Sequence, residues 1–137
     1  DNHYLCNDVN VPKAGYVVEF TPHTSMDRVH HMLVFGCTGR ARGQPWTCRT
    51  EPCTRLLFAW SRNAPSFQLP DGVGIPIGEA IGGYTRLAVQ IHYFTKFDGD
   101  INDYTGVKLR IVSQRPQNFA SIYRLADLKF SLSPRSP

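Results

Sequence analysis

Ten prolines and eleven glycines interrupt this 137-residue chain so often that no long segment keeps a helical period. Between them lie short runs rich in β-branched and aromatic residues, the pattern of an antiparallel sandwich or barrel. The expected strands are 15–20, 29–35, 55–60, 84–94, 106–112 and 119–123, and the architecture expected is a β-sandwich. Pro70-Asp71-Gly72 and Asp98-Gly99-Asp100 are turn signals. There is no internal repeat, low-complexity tract or linker, so residues 1–137 are expected to form one domain, with 131–137 as a tail leading elsewhere. Its 42% hydrophobic and 19% charged residues suit a packed core rather than a disordered chain.

Cysteine usage sets the compartment. Cys6, Cys37, Cys48 and Cys53 are even in number, and the last three crowd among glycines and prolines. The pattern reads as two disulfides formed in an oxidising compartment. A four-cysteine zinc site would show two short paired spacings, and here only Cys48 and Cys53 are close. Three connectivities remain open on the residues alone. The apolar runs, such as Leu56 to Trp60, are too short to span a bilayer, so no transmembrane segment is expected. The net charge of +4 is modest, and Arg40, Arg42, Arg49, Arg55 and Arg62 are too loosely spaced for a nucleic-acid surface.

Three histidines stand out. On the strand expected over 84–94, Leu87, Val89 and Ile91 share one face while Arg86, Gln90 and His92 share the other. His92 therefore points away from the apolar face. The 29–35 strand is apolar on both faces, which predicts that it is buried on both sides, with His30 and His31 inside it. Buried imidazoles are costly unless their nitrogens are bound. Adjacent strand residues point oppositely, so one ion can take both only where the strand twists or bulges. With His92 they make a plausible three-imidazole site for copper or zinc. Asp1-Asn2-His3 is a second candidate, since a free amine, two backbone amides and an imidazole can enclose Cu(II) in a plane.

These segments carry a resemblance. Met26 to Cys37, with its His-His-Met core, resembles the first copper-ligand segment of the peptidylglycine α-hydroxylating monooxygenases, within the copper type II, ascorbate-dependent monooxygenase family. Tyr4-Leu5-Cys6, Ala59 to Pro65 with Leu69 to Gly74, and Val89 to Tyr93 resemble the same family in the same order. Dopamine β-monooxygenase shares the His-His-Met core, but the Asn-Ala-Pro and Leu-Pro-x-Gly-Val-Gly segments look more like the amidating branch.

The resemblance implies a disulfide-stapled jelly-roll sandwich, pairings Cys6–Cys48 and Cys37–Cys53, and residence in the secretory pathway, the secretory granule or outside the cell. It implies copper on His30, His31 and His92, storing or relaying one electron, with Tyr4 of the matching Tyr-x-Cys segment as a supporting residue; Gln90, two residues from His92 on the same strand face, is expected to support the site as well. In that family a second domain, with two histidines and a methionine, activates oxygen and binds C-terminally glycine-extended peptides, and ascorbate is the reductant. This chain departs from the pattern: it has no His-x-His segment, and beyond the three histidines it holds only His3 and His23, with Met26 its one other methionine. An extra disulfide of some relatives, near Tyr104, has neither partner here. The chain alone is therefore expected to be inactive, the electron-transfer half of a monooxygenase. The alternatives are a natural one-domain copper or electron-transfer protein and a degenerate recognition module.

Overall fold

The computed structural model describes residues 3–25, 27–95, 97–99, 102–125, 129 and 131. Among the described residues ten strands follow in chain order: β1 (His3–Asn10), β2 (Gly15–His23), β3 (Val29–Cys37), β4 (Trp46–Thr47), β5 (Arg55–Ser61), β6 (Phe67–Gln68), β7 (Val73–Ile77), β8 (Arg86–Tyr93), β9 (Gly106–Val112) and β10 (Asn118–Phe119). A short 3-10 turn at Glu79–Ile81 is the only helical element among the described residues. The first sheet runs β4-β1-β8-β3-β5. In the second, β2 pairs β9 along one edge and β7 and β6 along the other, with β10 beyond β7. The chain is all-β, with two sheets closing on one core.

That core follows from alternation. Leu87, Ile91 and Tyr93 of β8, Met32 and Val34 of β3, and Leu57, Phe58 and Trp60 of β5 meet Val17 and Phe20 of β2 and Ile75 and Ile77 of β7. Phe20 and Phe58 stack across the gap at 4.8 Å between ring centroids. The outer face of the first sheet carries a second apolar cluster, Phe35, Cys37 and Ala88, with Leu33, Cys53 and Leu56 against it. The connection 38–54 folds over this patch, which is why β3 and β8 are apolar on both faces here.

Both disulfides hold that connection: Cys6–Cys48 ties it to β1, and Cys37–Cys53 ties it to β3. Asp8 adds a polar clamp. Its carboxylate is fully buried, accepts the backbone N–H groups of Arg42 at 2.8 Å and Gly43 at 3.4 Å, and pairs with Arg86 at 2.6 Å.

Several expectations need correction. β1 and β7 were absent from the expected strands. The polar Asn7, Asp8 and Asn10 disguise β1, whose partners are the distant β8 and β4. β7 contains Gly74 and Pro76, and tolerates the proline where β10 has already ended, since β10 pairs only Val73 and Gly74. The strand expected over 119–123 shrinks to Asn118–Phe119, and it runs parallel to β7. Only Ser131 of the expected tail lies within the described residues. The Pro70-Asp71-Gly72 turn forms, closed by Val73 N–H to Pro70 O at 3.1 Å, with Gly72 at φ 74° supplying the left-handed step.

Candidate metal centre

At the other end of the same outer face, β3 and β8 bring the three histidines together. Val29 pairs with Tyr93 and His31 with His92, so β3 carries one more residue than its partner there, and that residue is His30. The bulge removes the alternation that would send His30 and His31 to opposite faces. The expected burial is corrected: His30 is exposed and His31 half-buried, because the 38–54 cover stops short of this end, while His92 is buried.

The three Nδ1 atoms form a nearly equilateral triangle. His30 to His92 is 3.0 Å, His31 to His30 is 3.3 Å and His92 to His31 is 3.3 Å. Ligands about 2.0–2.1 Å from a tetrahedral ion lie about 3.3–3.4 Å apart, so the triangle is close to the face such an ion needs. Neighbouring nitrogens at these distances cannot all carry protons, so they either share a proton from ring to ring or surround a cation. Burial first, then the neighbouring His92 and His30, pulls His31 below the ordinary histidine range. Burial, then His30, does the same for His92. Both favour the neutral imidazole that binds metals. Among the described residues, this is the one group of three such side chains that could hold a metal ion.

The surroundings hold the rings in place. Tyr4, which pairs with His92 in the β1–β8 register, stacks on it at 4.3 Å with planes 6° apart, and meets His31 edge-on at 6.0 Å. Gln90 faces the same side as His92, but its amide donates to Thr50 O at 3.3 Å and lies 3.6 Å from Cys48 Sγ. It thus links the strand behind the histidines to the disulfide-held connection. Phe94 packs on His30 at 4.5 Å, and the Arg62 guanidinium lies 5.8 Å over the Phe94 ring. Neither was expected beside the histidines: Arg62 reads in the sequence only as one of a loose set of arginines, although Phe94, two residues beyond His92, has the right spacing. Of the N-terminal candidate, His3 opens β1, while Asp1 and Asn2 lie outside the described residues, as does Met26 of the histidine segment.

The two disulfides are consistent with the secretory pathway or an extracellular location. No helix among the described residues is long and apolar enough to cross a membrane.

Comparison with known proteins gives the family. Residues 1–98 match the family model of the copper type II ascorbate-dependent monooxygenase N-terminal domain. The chain is 36% identical over 128 residues to peptidyl-glycine alpha-amidating monooxygenase A of Xenopus laevis, a match covering 88% of this chain and 14% of that protein. It is 34% identical over 139 residues to the Mus musculus peptidyl-glycine alpha-amidating monooxygenase, covering 96% and 14%. Dopamine beta-hydroxylase of Rattus norvegicus is 30% identical over 109 residues, covering 71% and 17%. The chain thus spans about one seventh of the length of the amidating relatives. A matched segment of 98 residues and identities above 30% across most of the chain lead to one conclusion: it belongs to the copper type II ascorbate-dependent monooxygenase family, as a form of its N-terminal domain.

Proposed function

We propose that this chain, acting as one domain, is the copper-binding electron-transfer half of a peptidylglycine α-hydroxylating, peptide-amidating monooxygenase of the secretory pathway, with His30, His31 and His92 as ligands. The observation that carries the reading is the triangle of three Nδ1 atoms, 3.0–3.3 Å apart, in a member of a copper-dependent family. Bound there, copper would supply a one-electron store cycling between Cu(I) and Cu(II), for which a set of neutral imidazoles is suited.

The chain's own residues then have distinct tasks. The bulge at His30 presents adjacent imidazoles to one point. Tyr4 fixes the plane of His92 by stacking, and Gln90 anchors the strand through Thr50. The exposed edge of His30 leaves an approach for a reductant such as ascorbate. Oxygen activation and binding of C-terminally glycine-extended peptides are assigned to a second copper domain of the same enzyme, since this chain has no His-x-His segment to supply the other ligand set.

The test is copper stoichiometry by elemental analysis, with the Cu(II) paramagnetic resonance spectrum, on this chain and on His92→Ala. One copper on three nitrogens, reducible by ascorbate and lost in the variant, is expected, with no hydroxyglycine formed from a glycine-extended peptide. An unchanged spectrum and affinity in His92→Ala would refute the ligand assignment. Hydroxylation by the isolated chain would refute the division of labour.

A further inference from the structure

We propose that Arg62, Phe94 and the polar cavity beside them form the docking site for a small anionic enediol reductant of the ascorbate type. The proposal rests on the copper reading above and names where its electron enters.

The turn that ends β5 is unusually well fixed. Ala64 N–H donates to Ser61 O at 2.9 Å, Trp60 Nε1–H to Ala64 O at 2.7 Å, and Arg62 N–H to His30 O at 3.0 Å. Within it, Asn63 has φ 69°, the one positive φ outside glycine among the described residues. Asparagine tolerates that conformation better than most residues, yet it still has to be held there. The turn forms one wall of a cavity of about 290 Å³ whose polar lining includes Thr24, Asp27, Arg62 and Asn63, over Val29 and Trp60. Arg62 links this cavity to the metal centre twice, through its backbone bond to His30 and through Phe94, which packs on the His30 ring.

The mixture of groups selects the ligand class. A guanidinium suits a delocalised enolate, whose two neighbouring oxygens match its fork. Asp27 would repel a simple inorganic anion, but it accepts hydrogen bonds from the hydroxyls of a polyhydroxylated one. Asn63 and Thr24 can donate to or accept from the same hydroxyls. A compact ring with one negative charge and several hydroxyls satisfies all four, whereas phosphate can accept from Arg62, Asn63 and Thr24 but sets its own charge against Asp27. In the redox step the monoanion loses one electron and its remaining enol proton. The electron reduces Cu(II) to Cu(I), the proton goes to water, and the radical monoanion departs.

Two measurements test this. In the copper-free chain under argon, ascorbate should shift the indole N–H resonance of Trp60 saturably and leave that of Trp46 unmoved. Arg62→Ala should abolish the shift, Arg62→Lys should weaken it, and phosphate should not reproduce it. In the copper-loaded chain, reduction should saturate with ascorbate, and Arg62→Ala should slow its second-order phase about tenfold. Arg115→Ala, a cation remote from this cavity, and reduction of either variant by neutral hydroquinone should show no such slowing. A static Trp60, an equal response to phosphate, or unchanged kinetics in Arg62→Ala overturns the docking site even where copper binds. A Trp60 response without copper uptake upholds the docking site and removes the copper reading instead.

Discussion

The outer face of the β4-β1-β8-β3-β5 sheet is finished in two opposite ways. At one end, Phe35, Ala88 and Cys37 lie beneath the 38–54 connection, closed by two disulfides and by the buried Asp8–Arg86 pair. At the other end the same two strands, β3 and β8, emerge from that cover, and a one-residue bulge turns His30, His31 and His92 toward a common point. The closed end is apolar and cross-linked. The open end gathers three imidazole nitrogens within 3.0–3.3 Å of one another, a group that could hold a metal ion. One face thus separates the interactions that fold the chain from its candidate metal centre, and Gln90 and Tyr4 stand at the seam.

The sharpest way to break that contrast is to open the closed end. Replacing Cys6 and Cys48 with alanine frees a 42-residue separation, for which chain entropy predicts a loss of about 4 kcal/mol. The 16-residue separation of Cys37 and Cys53 predicts about 3 kcal/mol. Denaturant unfolding of the metal-free chain measures both, and losses below about 1 kcal/mol would mean the staple is not what folds this face.

Asp8→Ala comes next. It strands Arg86, whose Nε already has no partner among the described residues, together with the backbone N–H groups of Arg42 and Gly43. Breaking a buried pair this way costs about 3 kcal/mol. Copper affinity in whatever fraction stays folded should be nearly unchanged, and a large affinity loss would erase the distinction between the two ends.

His92→Ala should show the reverse profile. Copper affinity should fall by more than about 100-fold, beyond what loss of a merely supporting group gives. Metal-free stability should fall by only about 1 kcal/mol, from lost packing on Tyr4. Titration and unfolding of one preparation read both quantities.

The smallest effects belong at the seam. Gln90→Leu leaves Thr50 O without its donor and should cost about 1–2 kcal/mol of stability. Tyr4→Leu should leave stability closer to native but shift the copper reduction potential, because His92 loses the ring that fixes its plane. An unaltered potential in Tyr4→Leu would make that tyrosine part of the packing alone, and an unaltered potential in Gln90→Leu would remove Gln90 from the metal centre's support.

Alternation and punctuation by themselves determined that this chain is all-β and that Leu87 and Ile91 face a core opposite to Gln90 and His92. Those are local properties: side-chain direction along a strand has period two whatever the strand packs against. The pairing Cys6–Cys48 and Cys37–Cys53 came only through the family resemblance and is what the coordinates show. Tertiary structure alone decided three further matters. β1 is a strand because β8 and β4 flank it, although its own residues read as polar. His30 is exposed because the 38–54 connection stops short of it, which no pattern within 29–35 encodes. Phe94 and Arg62 meet at His30 because β5 and β8 end on either side of β3, a register set by bulges and long-range pairing. Burial, register and the position of a covering loop are sums over distant segments, so they exist only once the two sheets have closed.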